Sequence, residues 1–223
     1  MPLVLEKILK KDSCAVDVGG HVGSFLRLLE KFAPEGMHIV FEPSAVKSGL
    51  LKKQFPAVRV VPYAAADETG TAMFDEDYAR PGLSALQRGH REQGATTVRS
   101  EIKTYRLDDI LLETTNPIDL IKLDIEGSEL AALRGAIRII EKWSPAIIFE
   151  CGPEHWLAER NLSRMSLYKF ITEELDYNIF GFADFLFDKG LMGYDEFRKC
   201  GVYPFRALNF VAISRRAPGD FRK

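Results

Sequence analysis

Cysteine is scarce in this chain, and no long apolar run or excess of one charge is present. Three cysteines, Cys14, Cys151 and Cys200, are an odd number, and their spacings match neither a zinc motif nor a Cys-x-x-Cys redox pair. They read as buried, reduced thiols, which argues against a disulfide-built secreted fold. No stretch approaches the roughly 20 consecutive apolar residues of a membrane-spanning helix. The first residues, Met-Pro-Leu-Val-Leu-Glu-Lys, lack the apolar core and small-residue cleavage site of a secretory signal, so the expectation is a cytoplasmic protein with no membrane span. Thirty Lys and Arg against 32 Asp and Glu leave a net charge of −2. That balance argues against a protein that grips nucleic acid through its phosphates, and no nucleic-acid partner is expected. Internal repeats, low-complexity tracts and the Gly-Lys-Ser/Thr ending of a phosphate-binding loop are missing too.

What is present is the alternation of an α/β domain. With 46% hydrophobic residues, 223 residues suffice for one core without a metal or disulfide staple. Short apolar runs at 14–18, 37–41, 58–61, 118–124 and 146–149 read as strands. Between them lie helical patterns: Phe25, Leu28, Leu29 and Phe32 at helical spacing within 24–32, a helix over 44–54 capped by Ser44, and a continuous helix over 128–141. This is the form of βαβ units around a parallel sheet. A further helix is expected over 167–175, and two closing strands over 177–182 and 207–213, joined by a loop rich in aromatics and charges. The whole reads as a single domain, 1–223. Residues 14–66 form its ligand-binding half, and 67–106 an excursion at the sheet rim with short strands at 71–74 and 97–105. Residues 107–150 supply two further strands, and 151–223 form a substrate-side region.

Two clusters carry chemistry. Asp17-Val-Gly-Gly-His-Val-Gly23 lies where the first strand becomes a helix, the usual cradle of an open α/β sheet. Gly19 and Gly23 let the backbone turn and approach a ligand closely, Gly20 and His21 lie inside the turn, and Glu42, before Pro43, ends the next strand 19 residues after Gly23, where an acid accepts ribose hydroxyls. The dinucleotide spacing Gly-x-Gly-x-x-Gly fails: from Gly19 it falls on His21 and Ser24, from Gly20 on Val22 and Phe25. Asp17 disfavours a pyrophosphate and suits a cationic nucleoside such as S-adenosylmethionine. The second cluster lies at later strand ends. Asp124 and Glu126 follow the run at 118–124, Glu129 opens the next helix, Glu150 closes the run at 146–149, and His155 stands just beyond. Asp124, Glu126, Glu150 and His155 are the catalytic candidates. His155 or Asp124 is read as the general base, with Glu126 and Glu150 orienting the acceptor. Carboxylates this close suit Mg²⁺ as well, but no metal ligand is assigned.

Over residues 15–150 the chain resembles the FkbM-type family of S-adenosylmethionine-dependent methyltransferases. The resemblance rests on the glycine turn at 17–23, Phe41-Glu-Pro43, Tyr105-Arg-Leu-Asp-Asp-Ile110, Ile121-Lys-Leu-Asp-Ile-Glu-Gly-Ser-Glu129 with Leu133-Arg-Gly135, and Ile147-Ile-Phe-Glu150. It departs at Gly20-His21, where the family often carries Ala-Asn. The resemblance implies a Rossmann-like class I methyltransferase fold, a seven-stranded, mostly parallel sheet whose last strand is antiparallel. It implies that Asp17, Gly19, Gly23 and Glu42 line the cofactor, S-adenosyl-L-methionine, and that Ala66 and Asp67 lie near its adenine. It further implies O-methylation of a small-molecule or glycan acceptor. Arg80 to Leu86 and His90 are expected in the acceptor pocket. The rival readings are a non-catalytic cofactor-binding module, a methyltransferase of a macromolecule, and a nicotinamide oxidoreductase, which the glycine spacing disfavours. No Asn-Pro-Pro-aromatic or Asp-Pro-Pro-aromatic run follows residue 124, which disfavours base amino groups as acceptors.

Overall fold

Seven strands form the central sheet of the computed structural model, which describes residues 1–77, 85–86, 97–114, 116–158 and 162–216. In chain order they are β1 (Ala15–Val18), β2 (Ile39–Phe41), β3 (Arg59–Val61), β8 (Leu120–Leu123), β9 (Ala146–Glu150), β10 (Tyr177–Gly181) and β11 (Asn209–Ser214). Four strands numbered between them build a second sheet: β4 (Ala64–Ala65), β5 (Gly70–Asp77), β6 (Ala85–Leu86) and β7 (Thr97–Tyr105). The central order is β10-β11-β9-β8-β1-β2-β3, with β11 antiparallel to both neighbours and the pairings from β9 through β3 parallel. The expected seven-stranded sheet with an antiparallel last strand is therefore present.

Alternation along the strands divides the core in two, because successive side chains point to opposite faces. Val16, Val18, Ile121, Leu123, Ile147 and Phe149 pack on one face with α4 (Leu107–Leu111), α5 (Glu129–Arg134), α6 (Ile137–Trp143), α8 (Arg164–Lys169) and α10 (Tyr194–Cys200). Ala15, Leu120, Ala146 and Ile148 pack on the other with α1 (Pro2–Ile8), α2 (Ser24–Phe32), α3 (Ala45–Gln54) and α9 (Phe182–Leu186). The short α7 (Glu154–Ala158) follows β9. All three cysteines are free and buried.

Local departures from the expected elements have physical causes. The helix expected over 128–141 is two helices, α5 and α6, broken at Gly135. A Cβ there would fall 2.1 Å from the Ala66 carbonyl oxygen. Asp108 holds the break: its backbone N–H donates to the Gly135 carbonyl at 2.8 Å, and its carboxylate accepts from Arg138 N and Ile139 N at 3.2 and 3.0 Å, capping α6. The helix expected over 167–175 begins at Arg164 and ends in a π-helical turn, Phe170–Glu174. The loop expected between the closing strands contains α9 and α10. In the excursion, β7 (Thr97–Tyr105) has the expected bounds, whereas β5 is longer than the strand expected at 71–74, because it pairs antiparallel with β7 from Gly70 with Thr104 to Asp77 with Thr97. Asp75 and Arg99 are cross-strand neighbours bridged at 2.7 and 3.1 Å. Of the segment 80–86 and His90, only Ala85 and Leu86 lie within the described residues.

Candidate active site

Because β8 and β2 flank β1, the chain leaves the sheet on opposite sides of β1, the switch point at which open α/β sheets bind ligands. A cavity of about 540 Å³ opens there, at the carboxyl ends of β1, β2, β8 and β9. One wall is the glycine turn. Gly19 and Gly23 hold φ of +90° and +85°, where side chains are strained. A Cβ on Gly19 would fall 2.1 Å from the Asp124 carbonyl oxygen, so the bare backbone lets β1 and β8 close on each other. Gly23 instead caps α2 beside the Phe55 ring and does not line the cavity.

Gly19, Gly20, His21, Glu42 and Pro43 do line it. Glu42 is 4% exposed, and each of its oxygens is held by a backbone N–H, from His21 at 2.8 Å and from Ser44 at 2.9 Å. Burial pushes its carboxyl above the usual range, against those two hydrogen bonds. A carboxylate has about four acceptor positions, so capacity toward the cavity is left. His21 adopts a φ of +49°, and its Nε2 is buried with no hydrogen-bond partner among the described residues. Burial and the Lys47 ammonium lower its pKa, which keeps the ring neutral. On the far side the wall is Tyr63, Ala64 and Ala65, with Tyr63 propped on Tyr105 at a ring separation of 4.6 Å. Ala66 and Asp67, expected there, lie just past the wall, Ala66 being buried with its N–H on the Tyr105 carbonyl.

The acids at the floor are Asp124, Glu126 and Glu150, with an oxygen of each within 4.8 Å of the others. Glu150 is pushed up to about 9 by burial and by the facing Asp124, Glu126 and Glu129, so it carries a proton at neutral pH. Asp124 stays below the usual carboxylate range: its burial acts upward, but Lys122 and the hydrogen bond with Glu150 outweigh it. Glu129 is buried away from the cavity and braces the turn below Glu126, accepting from Ile125 N and Gly127 N at 3.2 Å each. Burial pushes it up to about 7.

Besides Gly23, Ala66 and Asp67, two more of the expected site residues lie outside the cavity. Asp17 has no exposed surface and does not reach the cavity; it pairs with Lys122 at 3.1 Å. His155 lies outside the cavity on the exposed side of α7, its ring stacked on Phe205. Lys122 itself is the residue that sequence reasoning missed. Its signal was a lone lysine within the apolar run Ile118-Asp-Leu-Ile-Lys-Leu, on a strand buried on both faces.

Comparison with known proteins agrees with this architecture. A family model described as the methyltransferase FkbM domain matches residues 17–183, carrying the match past Glu150 into α9. Methyltransferase sdnD of Sordaria araneosa is 24% identical over 172 residues, covering 59% of this chain and 66% of that protein. Methyltransferase 1 of Beauveria bassiana is 25% identical over 146 residues, covering 56% and 58%. The chain thus spans less than two thirds of either relative. Among solved structures, a methyltransferase FkbM from Methylobacillus flagellatus superposes with a TM-score of 0.55 at 19% identity, covering 92% of this chain and 44% of that one. The plantazolicin methyltransferase BamL, solved with a triazolic desmethylPZN analog and SAH, superposes with a TM-score of 0.52 at 9% identity, covering 96% and 85%. At these identities the likeness is one of fold, the class I methyltransferase fold. With its family model matched over three quarters of its length, and with the glycine turn, Glu42 and the acids of β8 and β9 around one cavity, the chain belongs to the FkbM methyltransferase domain family.

Proposed function

We propose that this chain is an S-adenosylmethionine-dependent O-methyltransferase acting on a hydroxyl of a sugar, glycan or secondary metabolite. The observation that carries the reading is that one cavity joins a nucleoside cradle to a protonated–ionised carboxyl pair. The residues present fit the cofactor. Glu42 is fixed by two backbone donors with acceptor positions to spare, and the orphaned Nε2 of His21 is a buried polar atom beside the same space. Tyr63 and Ala64 offer an apolar wall to a purine. At the floor of the cleft the carboxyl groups of Asp124, Glu126 and Glu150 gather on one side of the Lys122 ammonium, an acidic surface that suits a cationic donor.

Glu42 would hold the ribose hydroxyls, and the backbone of residues 19–21 the remainder of the nucleoside. The bound cofactor supplies a methyl group already activated by its sulfonium. The chain must therefore align the acceptor oxygen and take its proton. Asp124, ionised and half exposed at the cavity floor, is the base. The protonated Glu150 donates a hydrogen bond to Asp124, which fixes the orientation of the base and leaves it ionised. Phe74 and Leu86 of the second sheet reach the same cavity and form part of the acceptor's wall.

Calorimetric titration with S-adenosylhomocysteine, with NAD as control, tests the reading. Micromolar binding of the first alone supports the cofactor assignment, and turnover on a panel of sugar and natural-product hydroxyls then supports the reaction. Binding without turnover on any acceptor favours a non-catalytic module, and binding of neither ligand by folded protein overturns the reading.

A further inference from the structure

Lys122 occupies a junction. The parallel register of β1 and β8 sets Asp17 opposite Lys122, and both side chains fall on the face that carries α2. The Lys122 ammonium lies 3.1 Å from Asp17 Oδ1, 3.3 Å from Asp124 Oδ2 and 3.4 Å from the Gly19 carbonyl oxygen. The Phe25 ring of α2 closes another side, its centroid 5.4 Å away. The side chain is 10% exposed. One ammonium therefore touches a carboxylate that no ligand can reach, a carboxylate on the cavity floor, and the backbone of the glycine turn.

We propose that Lys122 is a positioning residue that keeps Asp124 ionised and turned into the cavity, and that through Asp17 and the Gly19 carbonyl it locks this charge to the glycine turn. The inference rests on the reading of Asp124 as the base. The groups around Asp124 come from every neighbouring element: Lys122 on its own strand, Asp17 on β1, His21 in the turn, Glu150 on β9, and Glu126 and Glu129 in the turn and start of α5. Of these groups, Lys122 is the cation in contact with Asp124, and His21 is held neutral by its burial and by Lys47. Without the ammonium, Asp124 faces carboxyl groups, its titration moves up, and the contact that turns it into the cavity is lost. Arginine carries the same charge and reaches as far, so it should replace the function in part; methionine has the shape without the charge.

The test needs no acceptor and no cofactor. Carbon-13 NMR titration follows the carboxyl groups of the ligand-free protein, with the Asp124 signal assigned through Asp124→Asn. In Lys122→Met the Asp124 titration should move up by about one unit or more, as expected for loss of an adjacent opposite charge, and Lys122→Arg should bring it back toward wild type. A lysine with a merely structural role would lower the melting temperature of Lys122→Met and leave the Asp124 titration where it was; that result in folded protein overturns the proposal. Should Lys122→Met not fold, Asp17→Asn decides. It gives the whole ammonium to Asp124 and should move the Asp124 titration down, whereas no change or an upward move overturns the proposal. Failure of wild-type protein to bind S-adenosylhomocysteine would sink the proposed activity without touching this titration, so the two failures stay distinct.

Discussion

Asp124 and Glu150, at the ends of adjacent parallel strands, share a hydrogen bond in which Glu150 holds the proton. The pair titrates as a unit, with one carboxyl below its ordinary range and the other raised to about 9. Methyl transfer should therefore be constant through neutral pH and decline as pH rises through about 9, where Glu150 ionises and the pair becomes doubly charged. Glu150→Gln keeps a donor that cannot ionise, so its rate profile should lose the alkaline limb. An unchanged limb in this variant would assign the decline to another group. Asp124→Asn should lower kcat by at least about 100-fold, the usual contribution of a general base, while S-adenosylhomocysteine affinity is retained.

Glu129 makes a separate prediction about stability. Its carboxyl is held at about 7 in the folded chain by burial, against an ordinary 4.5. Between those values the unfolded chain releases the proton and the folded chain keeps it, so folding binds protons and stability falls as pH rises from about 4.5 to about 7. The loss is on the order of 3 kcal/mol. Glu129→Gln retains an acceptor for Ile125 N and Gly127 N and should reduce this slope in urea melts at a series of pH values, leaving the part that the raised Glu150 contributes in the same sense. An equally steep slope would place the titration elsewhere.

Two glycines should respond to alanine in opposite senses. Gly19→Ala drives a Cβ into the Asp124 carbonyl at a φ of +90°, and it should cost about 2 kcal/mol or more along with S-adenosylhomocysteine binding. Gly49, inside α3, has open space where its Cβ would stand. Gly49→Ala should raise stability by about 0.5–1 kcal/mol, a rise of a few degrees in Tm. Differential scanning calorimetry of both variants checks the pair.

Arg164 has no exposed surface, and its guanidinium donates to the carbonyls of Cys151, Gly152 and Phe197 at 2.7, 2.7 and 2.8 Å. It also stacks 4.3 Å from the Phe197 ring. Arg164→Met would leave those acceptors buried and unpaired, so a loss of about 3 kcal/mol or more is expected in chemical denaturation. Arg164→Lys should recover little, because a point-like ammonium cannot reproduce the planar fork. Full recovery by lysine would mean that charge, rather than geometry, is what the site requires.

The sheet and its switch point were legible because they rest on local signals. The bounds expected for α2, 24–32, and the Ser44 cap of α3 are those observed, since apolar spacing and a short polar cap act within one helical turn. The break at Gly135 was hidden because its cause, Asp108, is 27 residues away in sequence and joins the helix only in three dimensions. The same holds for Lys122, whose meaning depends on the register that places Asp17 beside it. His155 was drawn toward the cavity by its nearness in sequence to Glu150, but α7 turns it outward onto Phe205. Asp17 stands beside the turn in sequence, but strand alternation points it into the core rather than toward the cavity. The helices α9 and α10 are too short for apolar periodicity to separate them from the aromatic loop in which they sit.

The second sheet joins the first through a very short bridge: β3 ends at Val61, and β4 begins at Ala64. From there the chain makes its excursion, returns along β7 to pair with β4, and re-enters the main fold at α4. Phe74 and Leu86 reach the cavity from this appendage, whereas the glycine turn, Glu42, Asp124 and Glu150 all belong to the central sheet or its strand ends. On the proposed reading, the acids and the acceptor's wall thus sit on separately anchored parts of one chain. A sequence change at Phe74 in β5 or Leu86 in β6 would then reshape that wall while the parallel core that holds the acids is left undisturbed.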